Sequence, residues 1–130
     1  MTVVPTTPRS VVAARLRQAR QLRGLSQREV GVRMGLDKDT ASARISRYES
    51  ESMAISLESL FELARALGVP PAYLLATTPE MADAILSLGN ESESQQRDLA
   101  TVLKALTKLS ATQRNAFAQS IVDAAPSEEP

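Results

Sequence analysis

Residues 24–49, GLSQREVGVRMGLDKDTASARISRYE, decide how this chain folds. Gly24 is suited to the left-handed position that stops a preceding helix. Ser26 followed three places later by Glu29 forms a capping box and opens a short helix with Val30 and Met34 turned inward. Gly35 ends that helix. Asp37-Lys38-Asp39 is a turn, with Asp39 or Asp37 placed to cap the next helix. Thr40 to Ser50 then predicts a third helix. Ala41, Ile45 and Tyr48 fall on one side of it, and Ser42, Arg44, Ser46 and Arg47 on the others.

Working outward, Thr7-Pro8 is a helix start with threonine as N-cap and proline in the first turn. Val12, Leu16, Ala19 and Leu22 repeat at spacings of three and four and predict one apolar stripe. Downstream, Ser56 caps an amphipathic fourth helix marked by Leu57, Leu60, Phe61, Ala64 and Leu67 and closed by Gly68. Pro70-Pro71 starts a short fifth helix through Tyr73, Leu74 and Leu75. The expected organisation is all-α: a loose arm over 1–7, a five-helix domain over 8–76, a helical extension over 79–124 and a disordered tail over 125–130. Within the extension, helices are expected over Glu80 to Leu88, around Leu99, Val102, Leu103 and Leu106, and after the capping box Ser110-x-x-Gln113, where Phe117, Ile121 and Val122 lie.

Composition narrows the function. Apolar residues make up 43% of the 130 positions but aromatics only 3%, so the core is aliphatic and suits helix-on-helix packing. With neither cysteine nor histidine, disulfides, thiolate metal sites and imidazole catalysis are excluded. There is no glycine-rich phosphate loop ending in Lys-Ser/Thr, so neither enzymatic activity nor a cofactor or metal is expected. No apolar run reaches the length of a membrane span and no signal-peptide core is seen, so the expected location is the cytoplasm, at the nucleoid when bound to DNA. The zero net charge conceals an uneven distribution. Residues 1–50 hold ten Arg/Lys against four Asp/Glu, whereas residues 51–130 hold five against eleven. A chain divided this way offers a basic face to a polyanion.

The ordered set Leu16-x-x-Ala19-Arg20, Gly24-Leu25-Ser26-Gln27-x-x-Val30, Met34-Gly35-Leu36, Ile45-Ser46-Arg47-Tyr48-Glu49, Ser56-Leu57-x-x-Leu60 and Leu63-Ala64-x-Ala66-Leu67-Gly68-Val69 resembles the Cro/repressor-type, lambda-repressor-like helix-turn-helix family, also called the xenobiotic-response-element family. The resemblance implies a lambda-repressor-like fold and a regulator of transcription that binds double-stranded DNA. Such a protein is expected to repress from a palindromic operator as a homodimer. By the same resemblance, base contacts fall on Ser42, Ala43, Arg44 and Arg47, and phosphate contacts on Gln27 with Arg28, Lys38 and Ser46. Thr40, in the lengthened turn, is a further DNA-binding candidate. Arg20 is expected to pair with Glu49 as a structural bond rather than to touch DNA.

Two departures from the family pattern bear on geometry. Gly35 to Ile45 spans ten positions, longer than the usual spacing by about one helical turn, so Asp39, Thr40 and Ala41 could project further than usual. Ser50-Glu51 stands where a glycine commonly follows the third helix, which predicts a looser exit. Arg9, Arg15, Arg17 and Arg23 are expected to form a solvated face, Tyr48 and Phe61 to be core, and Ser26 to be chiefly a cap. The Leu99–Leu106 stripe fits either an intramolecular hairpin or a dimer seam. A competing reading is a protein-interaction module, such as an antitoxin or polymerase-binding accessory protein, that engages a partner through residues 80–124.

Overall fold

Most helix starts in this protein are fixed by a side chain bonding its own backbone. In the computed structural model, which describes residues 7–127, Thr7 Oγ1 accepts from the Ser10 amide (3.2 Å) and Ser10 Oγ returns the bond to the Thr7 amide (2.9 Å). This box opens α1 (Pro8–Leu22). Ser26 and Glu29 open α2 (Gln27–Arg33) by the same exchange, at 3.0 and 3.1 Å. Hydrogen bonds from Ser26 hold the Glu29 carboxyl below its ordinary range, so this cap is complete at neutral pH and weakens as acid protonates it. Ser56 caps α4 (Leu57–Leu67), which ends at left-handed Gly68, and Thr78 caps α5 (Pro79–Gly89). Ser92 and Ser110 form boxes at α6 (Glu93–Thr107) and α7 (Ala111–Ala124).

The remaining elements are α3 (Ala41–Glu49) and the expected short fifth helix, which is a 3-10 helix over Pro71–Leu75. The described residues contain no strand, so the fold is all-α. Of the expected arm, residues 1–6 lie outside the described residues, as do 128–130 of the expected tail.

The chain divides into one unit through Asn90 and another from Glu91 onward. The core of the first is aliphatic: Leu16, Val30, Ile45, Leu63, Leu67 and Leu74 are fully buried. Helix α5, expected to belong to the extension, shares this core through Ala82, with Ile85 and Leu86 packed against it. A Cβ added at Gly89 would run into Pro70 Cγ, so the end of α5 sits tight against the residue that leads into the 3-10 turn. In the second unit, α6 and α7 contain no buried residue. Leu99, Val102, Leu103, Phe117, Ile121 and Val122 are all exposed. Arg114 of α7 donates to the carbonyls of Leu106, Thr107 and Leu109, closing the end of α6.

Several expectations are corrected. Leu22 (55% exposed) and Phe61 (54%) stand outside the core. The buried arc of α4 is centred on Leu60, Leu63, Ala64 and Leu67, and Phe61 is rotated about 100° from Leu60, beyond its edge. Of the arginines expected to form a solvated face, Arg9, Arg17 and Arg23 are exposed as expected but also bond main-chain carbonyls, whereas Arg15 is buried. Arg15 is only 3% exposed and donates from Nε to Ala76 O (2.8 Å). Arg23 reaches Leu67 O and Gly68 O, Arg17 reaches Glu49 O, and Arg9 reaches Glu51 O. Their stems lie along the domain and their forks occupy helix ends that would otherwise be unpaired.

The exit of α3 is also tight rather than loose. Glu51 itself takes the left-handed conformation (φ 67°), and the Ser52 and Met53 amides both return to Arg47 O. A left-handed non-glycine residue carries strain, partly offset by the extra freedom glycine gives the unfolded chain. Glu51→Gly is therefore expected to raise stability by about 1 kcal/mol, read as a higher urea midpoint at unchanged slope.

Candidate nucleic-acid interface

Helices α2 and α3 meet at a point that admits no side chain on one partner. A Cβ on buried Gly31 would lie 2.6 Å from Ala41 Cβ, 2.8 Å from Ala41 Cα and 2.9 Å from Ala41 O. Two of these atoms are backbone and cannot swing away, so the crossing depends on glycine. The connection between the helices is organised by Asp37. Its carboxylate accepts from the Asp39 amide (3.0 Å), and its carbonyl accepts from the amides of Thr40 (3.0 Å) and Ala41 (2.8 Å) and from Thr40 Oγ1 (3.2 Å). The side-chain cap expected from Asp39 or Asp37 is therefore replaced by a main-chain carbonyl, and Thr40 occupies the N-cap position without a side-chain cap bond. The connection runs from Met34 to Thr40. Ala41 is wholly buried and does not project, while Asp39 and Thr40 are exposed.

Ala41, Ile45 and Tyr48 anchor α3, and its last residue completes the attachment. Glu49 is 5% exposed. Arg20 grips its carboxylate with two bonds, Nε to Oε2 and Nη2 to Oε1, each 3.0 Å. Arg17 Nε stands 3.6 Å from Oε1, and Gln27 Nε2 donates to Oε2 at 3.3 Å. Arg20 also donates from Nη1 to Leu25 O (3.1 Å), which holds the α1–α2 connection. One carboxylate thereby joins α1, the start of α2 and the end of α3. The 22-residue separation of Gln27 and Glu49 leaves no local pattern from which their bond could be read.

The opposite side of α3 is open. Ser42, Ala43, Arg44, Ser46 and Arg47 are exposed, as are Arg28, Lys38 and Thr40 nearby; Gln27 is half-buried. The cations divide sharply by element. Every arginine of α1 and its C-cap, from Arg9 to Arg23, donates to a carbonyl or an acceptor side chain. Among the described residues, Arg28, Lys38, Arg44 and Arg47 make no side-chain hydrogen bond or ion pair within the protein. Arg33, for which the sequence carries no distinguishing signal, also makes no side-chain hydrogen bond or close ion pair at the end of α2, though its charge acts on Glu29. No group of acidic residues suited to a metal ion occurs among the described residues, and none of their helices is long and apolar enough to cross a membrane.

A capped helix crossing a second helix, whose outer face is polar and cationic, defines a helix-turn-helix domain. The profile of the family described as "Helix-turn-helix" matches residues 16–74. Among solved structures, the chain is similar to the transcriptional regulator BswR, with 32% identity and a TM-score of 0.65 over 72% of this chain and 92% of that one. No curated protein sequence matches. The chain belongs to the Cro/C1-type helix-turn-helix family.

The crossing yields a direct test of how the two helices are held. Gly31→Ala forces a methyl group into the Ala41 backbone and is expected to cost about 1–3 kcal/mol of stability, measured by urea unfolding.

Proposed function

We propose that this protein is a sequence-specific double-stranded-DNA-binding regulator of transcription, acting as a repressor on a palindromic operator as a homodimer. The observation that carries the reading is the division of cations. The basic groups of α1 are engaged within the fold, whereas those of α2, the connection and α3 are left for an external polyanion. An α-helix fits the major groove, where each base pair presents a distinct donor and acceptor pattern. In this reading Arg44, Arg47, Ser42 and Ala43 meet base edges, while Gln27, Arg28, Lys38, Thr40 and Ser46 meet the backbone. Arg20 and Glu49 hold the scaffold. The protein works in the cytoplasm, at the nucleoid when engaged.

Selection of bound duplexes from a random pool tests this reading. The expected result is an enriched motif with two symmetric half-sites. A pool without enrichment at any salt concentration excludes sequence-specific regulation. On the selected duplex, Arg44→Ala or Arg47→Ala is expected to remove about 1–3 kcal/mol of discrimination at one position of each half-site. Arg28→Ala or Lys38→Ala instead weakens all sequences alike and lowers the salt slope by about one.

For the dimer, the supporting observation is the second unit. Two helices with no buried residue and six exposed large apolar side chains gain an interior by pairing with a second copy. Leu103→Glu combined with Phe117→Glu is expected to halve the mass measured by sedimentation equilibrium; a wild-type monomer at all concentrations excludes self-association. The same exposed faces would serve a protein partner, such as a toxin or a polymerase subunit. That alternative predicts an activity that survives loss of both Arg44 and Arg47.

A further inference from the structure

We infer that Glu49 is a positioning residue for the phosphate contact of Gln27, so that the carboxylate locking the scaffold also aims the backbone clamp. The inference rests on the proposed reading of Gln27 as a phosphate donor and adds the device that orients it. The Glu49 carboxylate has little freedom. Arg20 holds both its oxygens in a fork, and Arg17 Nη2 takes the Glu49 carbonyl at 2.9 Å. Oε2 then presents a fixed, nearly buried acceptor to Gln27, the first residue of α2.

An ionised carboxylate only accepts hydrogen bonds, so the Gln27 group facing it must be the NH₂ and not the carbonyl. This selects one of the two amide orientations. It occupies one Nε2 proton and leaves the other to donate outward. A free glutamine would distribute itself among several rotamers and both amide flips, and DNA would have to order it on binding. Prior ordering of a contacting side chain strengthens binding without adding a contact. Because Glu49 is the last residue of α3, the clamp is also tied in register with the base-reading helix.

The test combines Gln27→Ala, Glu49→Gln and the double variant, measured against the duplex selected for the wild-type protein, with each variant's helicity checked at the assay temperature. A glutamine at 49 keeps the shape but can donate as well as accept, so it no longer selects one flip of Gln27. Gln27→Ala is expected to weaken binding about tenfold, Glu49→Gln about fivefold, and the double variant no further than Gln27→Ala alone. A folded Glu49→Gln protein that binds as tightly as wild type overturns the inference. So does a double variant whose loss is the product of the single losses.

If Gln27→Ala binds like wild type, the phosphate reading of Gln27 fails, and the positioning role fails with it. The ordering of the amide is read separately, without DNA, from the Gln27 side-chain NH₂ signals in a ¹⁵N-edited spectrum of the wild-type protein. Slowed exchange of one proton is expected; two freely exchanging protons overturn the inference even if Glu49→Gln does not fold.

Discussion

A carboxylate removed from water must find donors for its lone pairs, and Glu49 finds them on two other helices. Arg20 supplies two bonds from α1, Gln27 supplies one from α2, and Arg17 stands beside one oxygen while bonding the main chain of the same residue. Such a group is costly when deprived of its partners and effective when it has them, because only one arrangement of the three helices satisfies it. The aliphatic core beneath Tyr48 and Ile45 supplies the cohesion. The Glu49 bonds add direction, fixing how α3 is turned about its own axis and hence which residues face away.

The arginines of α1 show how a basic sequence can be spent on architecture. Carbonyls at the ends of α3 and α4, and those of Glu51 and Ala76, lie within reach of long side chains whose apolar stems follow the surface. These bonds fix where the guanidinium groups sit without cancelling their charge, so they still contribute to the basic excess of the N-terminal half, while the cations of α2, the connection and α3 keep their donors unengaged.

What the sequence revealed was local. Caps at Thr7, Ser26, Ser56 and Ser110 depend on spacings of three, and glycines at 24, 35 and 68 mark helix ends through their backbone freedom, so both could be read directly. The anchor of α3 on Ala41, Ile45 and Tyr48 followed from periodicity. What escaped was set by distance or by small angles. Nothing near Arg15 announces the Ala76 carbonyl sixty-one residues away. Phe61 and Leu22 fit an apolar pattern whose edge is decided by which part of each helix its neighbours cover. The turn after Glu49 needs a left-handed residue, and its occupation by Glu51 against the usual preference was visible only in the backbone. At the interface, the exposed face could be anticipated from periodicity, whereas the bond from Gln27 to Glu49 belongs wholly to the tertiary fold.

The Gly31–Ala41 contact separates two kinds of information carried by α3. Its inner residues are committed to a crossing with no spare volume, while Ser42, Ala43, Arg44, Ser46 and Arg47 are exposed. In the proposed reading, substitution at the outer positions changes what is recognised while the crossing keeps the frame of the two helices. In that reading, a crossing that tolerates no change on the inside leaves the outside of the same helix free to vary.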